Sequence, residues 1–206
     1  MPSVVMCGIP RSGSTLVWQI VAEALPGTTV VHTHPAVWKA KPSSVVIGSV
    51  RNPYDVAASL YRVRLSRSGD DAGGVEGLKA ELGWARKNFA GASVMFLQKS
   101  PQHARTILRY EDFLHDYDVI YSGIQQLTGV DVPREQRDVI NAKFSLDANR
   151  QRAALLKNFN ERDEYDIHGD HIGAVEVGTW TSVVPEWGHD TIREWCEPIA
   201  QEWGYA

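Results

Sequence analysis

Apolar residues follow two different spacings in the first half of the chain. Short runs rich in β-branched residues, at 3–7, 28–31, 45–50 and 106–110, predict four buried strands. A helical spacing starts at Ser14 and stops at Pro26, and a second helix is expected at Pro53, with Asn52 as its cap. Strands that alternate with helices predict an α/β fold with a mostly parallel central sheet, in a single domain over residues 1–206.

The second half of the chain is mostly helical in its pattern. Helices are predicted at about 118–127, 134–144 and 146–159, and a final helix near the C-terminus should be kinked by Pro198. Polar, glycine-rich segments at 66–74 and 166–178 are predicted to be loops. We therefore expect helices to flank the central sheet and to make up the C-terminal half.

Composition narrows the class of protein. The chain is 43% hydrophobic and 22% charged, which is ordinary for a globular protein, and its net charge is −4. This charge disfavours binding to nucleic acid or an anionic membrane, so an anionic ligand would need local arginines. Cys7 and Cys196 are too few for a disulfide framework, and no run approaches the roughly 18 apolar residues of a membrane span. We expect a cytoplasmic protein without a membrane anchor.

Residues 8–15, GIPRSGST, have the spacing of a phosphate-binding loop, G-x-x-x-x-G-K-S/T, but Ser14 occupies the lysine position. A strand, a glycine turn and a helix N-terminus form an anion site, because backbone N–H groups and the helix dipole converge there. Gly13 allows close approach, and Arg11 supplies a cation. Hydroxyl donors are added by Ser12, Ser14 and Thr15. The alternative is a strand-turn-helix with incidental polar residues.

The absent lysine bears on the chemistry. A phosphoryl group carries several negative charges, and enzymes that transfer it use Mg²⁺ and a lysine. A sulfuryl group carries one charge and needs less neutralisation, which favours sulfuryl transfer here.

A second anion site is predicted in SVRNPYDVAASLYR. Arg51 ends a strand and Ser59 lies two turns into the next helix, so both can meet one phosphate beside the first loop. Two neighbouring phosphate sites imply a nucleotide phosphorylated at two places. Tyr110, in RYEDF, either faces an adenine or is an interfacial tyrosine of the core.

Three segments together resemble the PAPS-dependent sulfotransferase family, in particular its cytosolic small-molecule type. PRSGSTL is similar to the 5′-phosphosulfate loop, VRNPYDVAASLYR to the 3′-phosphate strand and helix, and LRYEDF to the strand near the base. The resemblance implies a P-loop NTPase-like fold, PAPS (3′-phosphoadenosine-5′-phosphosulfate) as sulfuryl donor and PAP as product. It also implies a hydroxyl or amine of a small molecule as acceptor. The oligomeric state is not indicated.

A late segment, HIGAVEVGTW, resembles the family's R-K-G-x-x-G-x-W loop with two extra residues. The resemblance implies nucleotide contacts from His171, Ile172 and Gly173, although His171 and Ile172 replace the arginine-lysine pair. Leu16 stands where many members carry a tryptophan that stacks on adenine.

The segment VVHTHP resembles the family's K-T-H-x-P, in which the histidine is the general base. This implies that His34 accepts the acceptor's proton, while His32, at the lysine position, helps Arg11 to neutralise charge. Either histidine could instead satisfy backbone groups at a strand end.

Two other functions remain open from the sequence. One is a P-loop kinase, and the other is a nucleotide-binding module without turnover. Because no Cys/His or Asp/Glu cluster has metal-ligand spacing, we predict no metal.

Overall fold

The computed structural model describes residues 3–33, 44–68, 73–93, 104–169, 172 and 176–205. In this part of the chain four parallel strands form one sheet in the order β2-β1-β3-β4. The strands are β1 (Val4–Gly8), β2 (Val30–Thr33), β3 (Val45–Val50) and β4 (Arg105–Arg109). The predicted α/β fold with a parallel central sheet is confirmed.

The helices surround this sheet and continue through the C-terminal half, as predicted. Asn52 caps α2, because its Oδ1 accepts a hydrogen bond from the backbone N–H of Tyr54 at 3.0 Å. The helices are α1 (Ser14–Ala24), α2 (Pro53–Ser68), α3 (Gly74–Ser93), α4 (Tyr110–Phe113), α5 (Asp118–Thr128), α6 (Arg134–Lys143), α7 (Leu146–Ala154), α8 (Trp180–Val183) and α9 (His189–Trp203), with a 3₁₀ turn at Glu186–Gly188.

Several predicted boundaries are wrong. The strand expected at 28–31 lies at Val30–Thr33, and α2 continues to Ser68, inside the segment 66–74 that was expected to be a loop. The strand expected at 106–110 ends at Arg109, because the carbonyl of Tyr110 already accepts the N–H of Leu114 in the single turn of α4. The helix expected at 146–159 ends at Ala154, where Leu155 bonds back three residues and tightens the last turn. Pro198 lies inside α9, which continues to Trp203.

The two faces of the sheet carry different helices, because successive side chains of a strand point to opposite faces. Val4 and Met6 of β1 pack with buried residues of α1, α5 and α6. Val5 and Cys7 pack with residues of α2, α3 and α9. The sheet is therefore covered on both faces, as its near-continuous apolar strands require.

The central strands β1 and β3 lie side by side, with Gly8 opposite Ser49. The chain leaves β1 into α1 on one face and leaves β3 into α2 on the other. This is a topological switch point, and open α/β sheets bind ligands in the crevice at the carboxyl ends of such strands. Both predicted anion sites lie at this crevice.

None of the helices in the described ranges combines the length and apolarity needed to cross a membrane. Cys7 and Cys196 are free thiols, and burial raises the pKa of each to about 12. Thiols in such surroundings are inert at neutral pH, because the reactive form is the thiolate.

The same substitution at two helical valines measures the packing of α1 on the sheet. Val21 in α1 is 0% exposed and Val139 in α6 is 68% exposed. We expect Val21→Ala to lower the free energy of unfolding by about 2 kcal/mol, because two buried methyl groups are lost and a cavity remains. Val139→Ala should change it by less than about 0.5 kcal/mol. Urea unfolding measures both, and equal losses would contradict the core as described.

Candidate active site

The loop between β1 and α1 is built around two residues with left-handed backbone. Arg11 has φ 68° and Gly13 has φ 73°. A Cβ atom at Gly13 would lie 2.8 Å from Cδ2 of Tyr110 and 2.9 Å from Cζ of Phe113. The loop thus packs directly on the rings of α4, and only glycine fits at this position.

Ser12 holds the loop to the sheet. Its side chain is completely buried, and its hydroxyl lies 2.7 Å from the carbonyl of Ile9 and 2.6 Å from the hydroxyl of Ser49. Ser12 lines neither of the cavities described below. Its role as a ligand contact stays a prediction.

A first cavity lies at the switch point, and most of the predicted nucleotide-binding residues surround it. From the loop come Arg11, Gly13 and Thr15, from β3 and α2 come Arg51 and Ser59, and Tyr110 and Ile172 complete the set. Aromatic and apolar side chains, among them Leu114, Tyr117 and Phe144, line the same cavity. A few polar groups among apolar and aromatic walls are typical of a small-molecule pocket.

The arginines in this cavity are held in defined positions. Nε of Arg11 donates to Oγ of Ser59 at 2.8 Å, and Nη1 of Arg51 donates to the carbonyl of Arg11 at 3.4 Å. The Arg51 guanidinium lies 4.2 Å from the ring centroid of Tyr110. Its Nε is buried without a hydrogen-bond partner among the described residues. A buried donor in this state fits an anion, because an unsatisfied charged group is costly.

Positive charge is concentrated here. Burial, and then the neighbouring guanidinium groups of Arg62 and Arg51, lower the pKa of Arg11 to about 9. An anion between these groups would offset their repulsion. Arg62 was not among the predicted site residues, although it follows Ser59 by three residues and therefore shares its face of α2.

A second cavity, of about 500 Å³, adjoins the first and shares Arg11 and Thr15 with it. Ser14 of α1 and His32 of β2 line it. Further lining residues are Leu60, Val63, Arg67, Glu81, Trp84, Phe159, Asp166 and His168. Its position beside the loop suits a second ligand that meets the first at Arg11 and Thr15.

His32 lies between two polar partners in this second cavity. Its Nδ1 is 3.0 Å from Oδ2 of Asp166, and its Nε2 is 3.3 Å from Oγ of Ser14. The hydrogen bond from His32 lowers the pKa of Asp166. The ring also stacks on Trp18, with centroids 5.7 Å apart. Asp166 was not among the predicted site residues, because it lies 134 positions from His32 in the sequence and only the fold brings the two together.

Three predicted site residues, His34, His171 and Gly173, lie outside the described residues. The end of the late loop is described, and its Gly178 donates a backbone hydrogen bond to Oδ2 of Asp55 at 2.9 Å. Asp55 is 3% exposed, so this carboxylate ties the late loop to the start of α2.

No family model matches this sequence, and no curated protein matches it. Solved structures do match. Retinol dehydratase with retinol and PAP has a TM-score of 0.68 at 15% identity, over 96% of this chain and 81% of that one. Retinol dehydratase with androsterone and inactive cofactor PAP has a TM-score of 0.67 at 15% identity, over 96% of this chain and 80% of that one. A mouse sulfotransferase, SULT7A1, complexed with PAP has a TM-score of 0.63 at 16% identity, over 94% of this chain and 82% of that one.

The chain has the sulfotransferase fold. The fold expected from the three sequence segments is therefore confirmed. Within this sulfotransferase fold, the described residues contain no group of three or more His, Cys, Asp or Glu side chains that could hold a metal ion. The expectation that the protein uses no metal stays a prediction.

Alanine substitutions at two glycines distinguish the cost of backbone strain from the cost of steric crowding at Gly13. Gly13 and Gly27 both have left-handed backbone, with φ 73° and 80°, but a Cβ at Gly27 would have no atom within 4 Å. We expect Gly27→Ala to cost about 1 kcal/mol of unfolding free energy from backbone strain alone. Gly13→Ala should cost at least about 1 kcal/mol more, because the methyl group meets Tyr110 and Phe113. Equal shifts of the two urea midpoints would show that the loop does not pack on α4.

Proposed function

We propose that this protein transfers a sulfuryl group from PAPS to a hydroxyl, or an amine, of a small-molecule acceptor. The observation that carries the proposal is the buried Arg51 Nε, which has no partner among the described residues and belongs to a cavity that also holds Arg11 and Ser59. A multiply charged ligand with several acceptor oxygens satisfies such a cluster. The solved structures with this fold that contain PAP support the choice of ligand.

The residues present fit such a donor. Backbone N–H groups and hydroxyls at the start of α1 would hold the 5′-phosphosulfate, with Arg11 as the cation. Arg51 and Ser59 would hold the 3′-phosphate, and Tyr110, which lines the same cavity, would face the base. When bound, PAPS supplies an activated sulfuryl group on a good leaving group.

The second cavity supports a small acceptor. Leu60, Val63, Trp84 and Phe159 give it apolar and aromatic walls, and its volume of about 500 Å³ is that of a small-molecule site. Retinol and androsterone, which accompany PAP in two of the similar structures, are apolar alcohols. We propose an acceptor of that general kind.

His34 is the proposed general base, as the K-T-H-x-P resemblance implies. It accepts the hydroxyl proton of the acceptor while the new O–S bond forms and the bond from sulfur to the bridging phosphate oxygen breaks. Arg11 and the hydroxyls of Ser14 and Thr15 stabilise the charge that develops on that oxygen. Ser14 occupies the lysine position of the loop. The absence of that lysine suits a transferred group with one negative charge better than a phosphoryl group, which carries several.

Removal of the Arg51 guanidinium tests the donor site. We expect Arg51→Ala to weaken PAP binding about 30-fold or more, because loss of one partner from a buried charged hydrogen bond costs about 2 kcal/mol or more. Arg134→Ala is the control, since Arg134 on α6 does not line the cavity and its side chain is 79% exposed. Isothermal titration calorimetry measures both. Wild-type affinity in Arg51→Ala would refute the second phosphate site.

Removal of the proposed base tests the reaction. With labelled PAPS and a panel of apolar alcohols, His34→Ala should lose about 10²- to 10⁴-fold in transfer rate, which is the usual contribution of a general base. Its PAP affinity should stay within about threefold of the wild type, because the base contacts the acceptor. The exposed His115→Ala serves as the control.

The outcomes of this assay separate the candidate functions. Full transfer by His34→Ala would end its assignment as the base. PAP binding without transfer to any acceptor would indicate a nucleotide-binding module. Transfer should persist in EDTA, and a strict requirement for Mg²⁺ would favour a kinase.

A further inference from the structure

Asp166, His32 and Ser14 form a hydrogen-bonded chain that ends at the first residue of α1. We propose that Asp166 is a positioning residue that acts through His32 on the Ser14 hydroxyl, so that binding of a nucleotide's 5′-phosphate or phosphosulfate at the loop is coupled to uptake of one proton. The inference rests on the proposed function for the identity of the ligand. It assigns to this protein a positioning residue and a pH dependence that the donor site alone does not require.

Asp166 is held in an unusual backbone conformation. Within the described ranges, the non-glycine residues with left-handed backbone are Arg11 and Asp166, with φ 68° and 60°, and both line the second cavity. Such conformations cost free energy and persist where the surrounding structure imposes them, often at functional sites. Because two residues of one cavity share this costly conformation, we infer that the surrounding structure holds the Asp166 carboxylate in a defined position.

The turn that carries Asp166 is built to hold it. Residues 162 and 168 pair across the turn, and Oδ1 of Asp163 accepts the backbone N–H groups of Tyr165 and Ile167 at 3.0 and 2.8 Å. These bonds use the side chain of Asp163 as the centre of the turn. Asp166 therefore presents its carboxylate from a rigid tip.

A buried polar chain ties this turn to α1. Gln19 of α1 donates to the carbonyl of Tyr165 at 2.9 Å, and Asn149 of α7 donates to Oε1 of Gln19 at 3.0 Å. Gln19 and Asn149 are 2% and 4% exposed. Since Ser14 lies at the start of the same helix, the carboxylate and the hydroxyl are fixed relative to each other.

Proton counting gives the coupling. An ionised carboxylate only accepts hydrogen bonds, so Nδ1 of His32 must carry a hydrogen toward Asp166. In neutral His32, Nε2 carries no hydrogen and therefore accepts a hydrogen bond from the Ser14 hydroxyl, which has only one hydrogen to donate. In protonated His32, Nε2 donates a hydrogen bond to the Ser14 oxygen instead. The O–H group of Ser14 can then donate its own hydrogen bond to a bound anion. An anion at the loop thus favours the protonated form.

Other titratable groups lie near the hydrogen-bonded residues Asp166, His32 and Ser14. Oδ1 of Asp166 lies 3.3 Å from Nη1 of Arg162 and 4.0 Å from Nε2 of His168. The hydrogen bond from His32 is the main cause that holds the pKa of Asp166 below its usual value, and the neighbouring His168 and Arg162 add to it, which keeps the carboxylate ionised. The other titratable groups that line the cavity are Arg11, Arg67 and Glu81, the last paired with Arg64.

The test measures protons taken up when PAP binds the full-length protein. Calorimetry in buffers of different ionisation enthalpy, between about pH 5.5 and about pH 8.5, covers the range in which histidines ordinarily titrate. PAP itself titrates near pH 6, so uptake is compared between the wild type and His32→Gln, which cancels the ligand's share. We expect the wild type to take up as much as about one proton more, and its affinity to fall by up to about tenfold per pH unit on the alkaline side.

Three further variants locate the coupling. Asp166→Asn should lose most of the extra uptake, because a neutral amide enforces no tautomer of His32. Ser14→Ala should also lose most of it, whereas simple attraction between His32 and the anion would leave it intact. His168→Gln is the matched control, because His168 faces the other oxygen of Asp166 and should leave the uptake unchanged.

Each outcome decides between the proposals. Wild-type uptake in His32→Gln, Asp166→Asn or Ser14→Ala would overturn this inference while leaving the proposed function standing. Failure of the wild type to bind PAP at any pH would overturn the proposed function itself. Loss of uptake in these three variants, with uptake retained in His168→Gln, would support the chain as described.

Discussion

The burial of the Arg51 guanidinium is the constraint on which the site depends. Arg51 is 6% exposed, it stacks on Tyr110, and it donates to the backbone of Arg11. One side chain thereby joins the end of β3, the loop after β1 and the start of α4. A buried cation is tolerated where acceptors or anions compensate it, so a ligand with negative charge would complete its environment.

Two adjoining cavities at this crevice differ in their lining residues. The first combines the arginines with an aromatic wall, and the second combines His32, Asp166 and other polar groups with apolar side chains such as Leu60 and Trp84. Arg11 and Thr15 belong to both, so a group that passes from one ligand to the other would do so beside these two residues. Positioning of two reactants at a shared boundary is how enzymes avoid the entropic cost of a bimolecular step.

Rigidity around this boundary comes from buried polar contacts as much as from apolar packing. Ser12 is bonded to β3, and Gln19 connects α1 to the turn of Asp166. Each of these polar groups is buried and hydrogen-bonded, which specifies one arrangement where an apolar contact would allow several. The left-handed residues Arg11 and Asp166 are held by this framework.

The sequence by itself determined the α/β class, the strand-loop-helix around Gly13 and the position of Arg51 and Ser59 at one cavity, because these depend on local periodicity and on short spacings within one unit. Its errors were at element ends, as at Tyr110, where a single hydrogen bond closes a helical turn that no pattern announces. Arg62 was within reach of the sequence, as a neighbour of Ser59 on the same helix face.

Only the tertiary structure decided that Asp166 meets His32 and that the Arg51 Nε is buried without a partner among the described residues. Side chains so far apart in the chain are brought together by the order of the strands and the packing of α1, and no local spacing encodes that approach.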